Sequence, residues 1–447
     1  MSKLLRRLKM NSTRFRLTEW FNSNPRHQLL TILVIALVFR FAFVLVLNPE
    51  GIYFSDTRHY DRAARNLLQG EGFGEKYDRS PLYPLFMAGV YGLLGTSFVA
   101  MRIVEALLGV LLCYLIFRIG ERLFDRKVAL VAAAIAAIFP HFLLIVGILY
   151  PTNLFTVLIA ASIFFLLHGD EHHSFGYYAL SGGLAGAATL TTPALFFALP
   201  FWFLWLLVGA KQGGGYRVAS AALFLILFAA VLTPWTLRNY QKYDRFVLVR
   251  PVPHTAFPDL ENVDSHKTQI ENGFNETTEY LKAHPTGTDE DAIPNIMKKY
   301  LNHPVESIQY SITELGHFWS LYPDRLDTKN KNYVKEVKEK DSRIVSAKPS
   351  GFWRLVKIGS IAVMLPTFLF AVIGLVSTHP FRRKKILILL TILAISFGYS
   401  LIVAEVRYRI PLEPYILMFT AAGLIAVFEK LTAHQQTKNS VDELNKK

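Results

Sequence analysis

Asp56 lies in the segment Ile52-Tyr53-Phe54-Ser55-Asp56-Thr57-Arg58-His59-Tyr60, just after the first long apolar run of a 447-residue chain. A carboxylate in that place can serve as a general base, taking the proton from an attacking hydroxyl. Arg58, Tyr60 and Arg79 offer donors for an anion, and a guanidinium can grip a phosphate bidentately. Base and anion site together point to chemistry on a lipid-borne phosphate at a membrane surface. The same residues have plainer uses: Asp56 as a solvated loop residue or the cap of a helix starting near Arg58, and Arg79 as an interfacial anchor.

Three more segments carry charge where charge is costly. Thr233-Pro234-Trp235-Thr236-Leu237-Arg238-Asn239-Tyr240 ends an apolar run, with Arg238 either binding a ligand or snorkelling beside an interfacial Trp235. Ala404-Glu405-Val406-Arg407-Tyr408-Arg409-Ile410-Pro411-Leu412-Glu413-Pro414 crowds charges into a turn between apolar runs, which is expensive unless they are paired or used. Glu405 is expected to neutralise one arginine there and leave the other for a ligand. Arg102 and Glu105, three apart on one helix, are expected to pair, and His141 reads as a satisfied interior histidine. No group has metal-ligand spacing, so no cofactor is expected, with a divalent cation left open. No P-loop, nucleophile elbow or dinucleotide fingerprint is present.

The scaffold that must position these residues is a membrane one. The chain is 52% hydrophobic with mean hydropathy +0.29, and its apolar residues fall in blocks too long for barrel strands. The fold class is therefore all-α and polytopic. Ten spans are expected, at about 29–48, 98–118, 128–147, 152–168, 177–191, 193–208, 217–236, 354–377, 385–403 and 411–429. Lys3, Arg6, Arg7, Lys9, Arg14, Arg16 and Arg26 precede the first span, which reads as an uncleaved signal anchor with a cytoplasmic N-terminus. Arg40 inside it either faces the interior or snorkels. An even count returns the C-terminus to the cytoplasm and puts Asp56, Arg79, Arg238, Arg407 and Arg409 on the opposite face. Arg118, Arg122, Arg126, Lys127, Lys211, Arg217 and Arg382–Lys385 then lie inside, but the loop Gly169–His173, with no basic residue, fits poorly.

Residues 1–236 read as an N-terminal transmembrane module with the reactive loop at 49–97. Residues 237–352 read as a small extracytoplasmic α or α/β domain, 353–430 as C-terminal transmembrane helices and 431–447 as a cytoplasmic tail. Within the loop, Arg58–Leu68 is expected to be an amphipathic helix, and the stretch from Pro81 to Gly95 an interfacial or re-entrant one. In the outer domain, Ile293–Leu301 and Val305–Leu321 look helical, Lys329–Arg343 looks solvated, and Asn275-Glu276-Thr277 is a sequon. The net charge of +14 is no nucleic-acid footprint: 237–352 holds 16 of the 48 basic and 17 of the 34 acidic residues, so the surplus lies outside it, much of it in short connections and tails. The single cysteine, Cys113, excludes an intrachain disulfide.

In order along the chain, Asp56 with Tyr60, Arg79-Ser80-Pro81-Leu82-Tyr83-Pro84, Arg102, Gly120-Glu121-Arg122-Leu123-Phe124, Pro234-Trp235-Thr236-Leu237-Arg238-Asn239 and Arg407-Tyr408-Arg409-Ile410-Pro411 resemble the GT-C superfamily of membrane glycosyltransferases. The likeness is to the protein O-mannosyltransferase-like branch, which includes the lipid A aminoarabinose transferases, and covers most of the chain. It implies inverting transfer from a polyprenyl-phosphate-linked sugar to a glycan, lipid or protein acceptor, on the extracytoplasmic face of a bacterial or archaeal plasma membrane. Asp56 would be the base. Arg79, Arg238, Arg407 and Arg409 would hold the donor phosphate, with Arg58, Tyr60 and Arg102 as further contacts. The phosphate leaves as a stable anion, so one carboxylate and a set of cations suffice. Two features depart from the family: Thr57 stands where a second acid is common, and Arg79-Ser80-Pro81 replaces a Lys-Pro-Pro-like element. Other readings are an O-antigen-type polymerase or ligase, which should carry its decisive cations in later loops, and a transporter or flippase. A transporter should show ionisable groups at mid-membrane and an internal repeat, and no repeat is found.

Overall fold

The computed structural model describes residues 25–46, 51, 56–74, 79–208, 213–244, 246–250, 300–322, 350–378, 381–402 and 404–444. The basic N-terminal cluster up to Arg16, the sequon, Lys329–Arg343 and most of the expected outer domain lie outside the described residues. Among those described there is no strand. The helices are α1 (Pro25–Val46), α2 (Thr57–Leu68), α3 (Leu82–Leu94), α4 (Phe98–Leu123), α5 (Arg126–Ile138), α6 (Pro140–Gly147), α7 (Thr152–His172) and α8 (Phe175–Thr191). They continue as α9 (Leu199–Leu207), α10 (Gly214–Tyr243), α11 (Pro304–Phe318), α12 (Ser350–Ser377), α13 (Arg383–Ser400), α14 (Val406–Arg409) and α15 (Glu413–Leu444).

Six of the described helical stretches are long and apolar enough to cross a membrane: α1, α4, α7, α10, α12 and the stretch Val406–Thr437. The bent pair α5–α6 makes a seventh if it is one span. The ten expected segments all fall on helix, but three are not span-length apolar helices. α8 has 17 residues, Pro193 and Pro200 break 193–208 into a 3₁₀ turn and a nine-residue α9, and α13 opens on Arg383-Lys384-Lys385. The amphipathic α2 and the short apolar α3 appear where the loop pattern puts them, and α11 covers most of the expected 305–321 helix.

Pro140 explains both the 47° bend and the arginine in α1. Proline brings no N–H and breaks the ladder, so the carbonyls at the end of α5 lose their helical donors. Arg40 is fully buried and donates to Ala137 O at 3.0 Å and Ala136 O at 3.3 Å, as well as to Ala36 O and Cys113 Sγ. It faces the interior and caps the broken helix. Elsewhere small residues let backbones meet: Gly374 of α12 and Gly423 of α15 each lie against the other helix's main chain with no room for a Cβ.

Gly169–His173, expected as a loop, is the last turn of α7 and its C-cap, and its acids are paired across helices. Asp170 pairs with Arg383, and Glu171 pairs with Lys384 at 2.5 Å and Arg122 at 3.1 Å. Its neighbours supply the cations it lacks.

Candidate active site

At the other end of α7, segments far apart in the chain surround a cavity of about 380 Å³. Asp56 and Tyr60 reach it from the start of α2, Arg79 from the approach to α3, and Tyr150 and Thr152 from the start of α7. Arg250, then Tyr399 at the end of α13, and Arg407 and Tyr408 on α14 complete its polar wall. Phe155, Pro193, Ile402 and Pro411 line it with apolar surface.

Asp56 occupies the N-cap position of α2, but its side chain makes no capping bond. The carboxylate faces the cavity instead. Its Oδ1 is 3.3 Å from an Arg79 Nη2, and its Oδ2 accepts from the Tyr150 hydroxyl at 2.9 Å. Burial works to raise the carboxyl's pKa, but Arg79, the Tyr150 hydrogen bond, Arg407 and His59 outweigh it and hold Asp56 below its ordinary value. It is therefore ionised at neutral pH, the state a base needs. Burial pushes the Tyr150 phenol well up, so that hydroxyl stays a donor.

Arg407 pairs with Glu405 at 2.9 Å and lies over the rings of Tyr150 and Tyr408, 5.2 and 5.1 Å from their centroids. Tyr408 is stacked in turn on Tyr399 at 4.6 Å. Glu314 of α11 accepts from the Ala404 backbone N–H at 2.6 Å and so fixes the turn that carries Arg407.

Arg409 does not share this position. It is fully buried, 3.3 Å from Glu413, and donates to the carbonyls of Phe318 and Ser320 at 2.8 and 2.7 Å. The expected division of labour at the turn is thus different: Glu405 pairs the cavity-facing arginine, and the other is used in packing. Two residues apart on a helical turn, the two side chains leave on different sides. His141 shares Glu413 at 2.8 Å, as an interior histidine should.

Arg102 also lies outside the cavity lining. It donates to Gly147 O at 2.9 Å and Gly51 O at 2.6 Å, while Glu105 is taken by Tyr83 at 2.9 Å and Asn153 at 2.6 Å rather than by Arg102. Arg58, half-buried on α2, is not in the lining either. Arg238 stacks over Trp235, 4.4 Å from its centroid, and reaches Asn239 at 3.2 Å. The segment around it has another effect. Trp235 Nε1 donates to Val249 O, Thr236 to Leu248 O at 2.9 Å and Asn239 to Val247 O at 3.0 Å. The three bonds fix the irregular stretch whose next residue, Arg250, enters the cavity.

Tyr150, Arg250, Tyr399 and Tyr408 are site residues that sequence reasoning missed. The only signal for Tyr150 is its place before Pro151 at a helix start; for Arg250 it is the upstream segment Pro234–Asn239 that bonds the residues just before it. Three guanidiniums, four phenols and one carboxylate give the cavity an anion-binding wall beside a proton acceptor. Where the sequence suggests no metal-ligand spacing, the structure brings His168, Glu171 and His172 within 4.8 Å of one another at the far end of α7. Arg122 and Lys384 occupy Glu171 there, and Arg122 also contacts His168 Nδ1 at 2.9 Å, so cations already fill the group.

The sequence model of the dolichyl-phosphate-mannose-protein mannosyltransferase family (PMT_2) matches residues 78–236, about a third of the chain. No curated protein matches it significantly in sequence. The oligosaccharyltransferase of Archaeoglobus fulgidus in its apo form superposes with a TM-score of 0.55 at 15% identity, over 92% of this chain and 52% of its own. The archaeal AglB from the same organism, in complex with an inhibitory peptide and a dolichol-phosphate, gives 0.54 at 14% identity, over 93% and 52%. This chain thus spans about half the length of those archaeal proteins. ArnT from Cupriavidus metallidurans bound to undecaprenyl phosphate superposes more loosely, at 0.40 and 13% identity over 89% of this chain and 78% of that one. By its fold the chain is similar to these archaeal oligosaccharyltransferases, and its residues 78–236 match the mannosyltransferase family model.

Proposed function

We propose that the protein transfers a sugar from a polyprenyl-phosphate-linked donor to an envelope glycan, lipid or protein acceptor on the extracytoplasmic face of the membrane. The observation that carries this reading is one ionised carboxylate, Asp56, sharing a cavity with Arg79, Arg250 and Arg407. The archaeal relative's complex with a dolichol-phosphate supports a lipid phosphate as the anion. The paired cations Arg122, Arg383 and Lys384 at the other end of α7 support the orientation, since positive residues favour the cytoplasmic side. Thr152 and His168 are separated by roughly 24 Å along the helix, enough to put the two ends near opposite faces of the hydrocarbon core.

In the proposed step an acceptor hydroxyl attacks the anomeric carbon and gives its proton to Asp56. The bond from that carbon to the phosphate oxygen breaks, and the oxygen leaves with the electron pair as polyprenyl phosphate. Attack opposite the leaving group inverts the anomeric centre. Arg79, Arg250 and Arg407 hold the developing phosphate charge, which preorganised cations stabilise well in a partly desolvated site. Arg79 has a second effect. It lies against Asp56 before the donor arrives, and a phosphate competing for it weakens that pairing and makes the carboxylate a stronger base. Arg58, Arg102, Arg238 and Arg409 then act as supports of the site rather than as phosphate ligands.

Membranes from cells lacking the protein hold the unspent donor and acceptor. Adding the purified protein should release free polyprenyl phosphate, measured by mass spectrometry, with a matching mass gain on an envelope component. Movement of intact donor across the bilayer with no release would contradict the reading and favour a transporter.

A further inference from the structure

The turn joining α6 to α7 carries the one strained non-glycine backbone among the described residues near the cavity. Leu149 has φ of 50°, a left-handed conformation that a branched side chain adopts only when its surroundings hold it there. Three groups do so. Its side chain is fully buried against the α2–α3 cluster, Thr57 donates to Ile148 O and Leu149 O at 3.2 and 3.3 Å, and Arg102 ties Gly147 O to the backbone of the first loop. Two residues flagged by the sequence but lying outside the cavity, Thr57 and Arg102, therefore converge on one turn. What the turn presents is Tyr150.

We propose that Tyr150 is the positioning residue of the site: its hydroxyl sets the direction of the Asp56 carboxylate, and its ring sets the place of the Arg407 guanidinium. The hydroxyl holds Oδ2 at 2.9 Å, Arg407 lies 5.2 Å from the ring centroid, and the ring of Tyr60 meets it edge-on at 5.9 Å. One phenol thus spaces the proton acceptor from the anion clamp. When the donor phosphate draws Arg79 away, Oδ1 is released while Oδ2 stays held, so the acceptor's proton goes to Oδ1. The other charged and titratable groups facing Asp56 are His59 and Tyr60 from α2, Arg79 from the approach to α3 and Arg407 from α14. The assignment rests on Asp56 being the base, and its test keeps the two apart.

The test uses the full chain in lipid nanodiscs, with donor and acceptor supplied by membranes of cells lacking the protein, and reads released polyprenyl phosphate. Tyr150→Phe keeps the ring and loses the hydroxyl. Its rate at saturating donor should fall by about tenfold or more with donor half-saturation little changed, and the acid limb of its pH profile should move to higher pH, since the carboxylate loses a hydrogen bond that stabilises its charge. Tyr150→Leu removes the ring as well and should also raise half-saturation by about tenfold. Thr57→Val, which loosens the turn without altering the side chain of Asp56 or Arg407, should repeat the Tyr150→Phe pattern in weaker form. A tyrosine that merely packs the turn would lower the melting temperature of its variants and leave the acid limb where it is. If Asp56→Asn is inactive while Tyr150→Phe keeps the wild-type rate and acid limb, the Tyr150 assignment alone is overturned; if Asp56→Asn is active, the base assignment fails and takes this one with it.

Discussion

At one end of α7, Thr152 lines a cavity shared with Asp56, Arg79, Arg250 and Arg407; at the other, Asp170 and Glu171 sit among Arg122, Arg383 and Lys384. Both ends are rich in arginine and carboxylate. They differ in what the charges face. At the far end the acids and cations close on one another. At the cavity Arg79 pairs with Asp56 and Arg407 with Glu405, yet both arginines, together with Arg250, also line open space. The difference teaches that charge density does not mark a site, whereas charge lining a cavity does. Arg407 and Arg409 repeat the contrast two residues apart, one in the cavity wall and one closed off by Glu413 and two carbonyls.

Asp56→Asn should break the comparison most severely. Loss of a general base costs on the order of 10²- to 10⁴-fold in rate, so transfer should fall at least a hundredfold while undecaprenyl phosphate binding holds and the melting temperature falls only by the share that the Asp56 carboxylate contributes.

The two arginines should then separate. Arg409→Gln leaves Glu413 buried with only His141 and should cost about 3 kcal/mol of stability or more, seen in thermal unfolding. Arg407→Gln should instead weaken undecaprenyl phosphate binding by roughly 10- to 100-fold, the scale of one charge-assisted contact, with a smaller loss of stability.

A pH titration sharpens the same contrast. The Asp56 pKa is lowered in the folded, donor-free protein, so the base stays ionised, and transfer at low donor concentration has no acid limb from it until pH drops below the usual carboxylate range. Its contribution to stability has the same sign: present above the unfolded carboxylate's pKa, and lost as pH falls through the lower folded value. Unfolding of the Asp56→Asn protein should lack that low-pH loss. At the far end, Lys384→Ala removes a half-exposed partner of Glu171 and should change stability by less than about 1 kcal/mol, with transfer rate unaffected.

Much of the scaffold follows from composition and length. α1, α4, α7, α10 and α12 are long apolar runs, and α2 and α11 show an amphipathic pattern any reader of the sequence can find. What length could not decide was how prolines divide the rest: Pro193 and Pro200 turn one expected span into two short pieces, and Pro140 bends another. At the site, Asp56, Arg79 and Arg407 stand out because each is a charge at the edge of an apolar run. Tyr150 and Arg250 do not, since a tyrosine at a helix start resembles any interfacial tyrosine, and its bond to Asp56 spans 94 residues. Arg102 and Arg409 mislead for the converse reason: spacing reveals a charge but not the carbonyls that fold around it.

The most direct test is a structure of the protein with undecaprenyl phosphate bound in nanodiscs. The account predicts the phosphate in the cavity, with oxygens at about 2.7–3.0 Å from guanidinium nitrogens of Arg79 and Arg407, and with Arg79 drawn off Asp56. A phosphate held at the far end of α7, among Arg122, Arg383 and Lys384, with Arg79 still on Asp56, would contradict it.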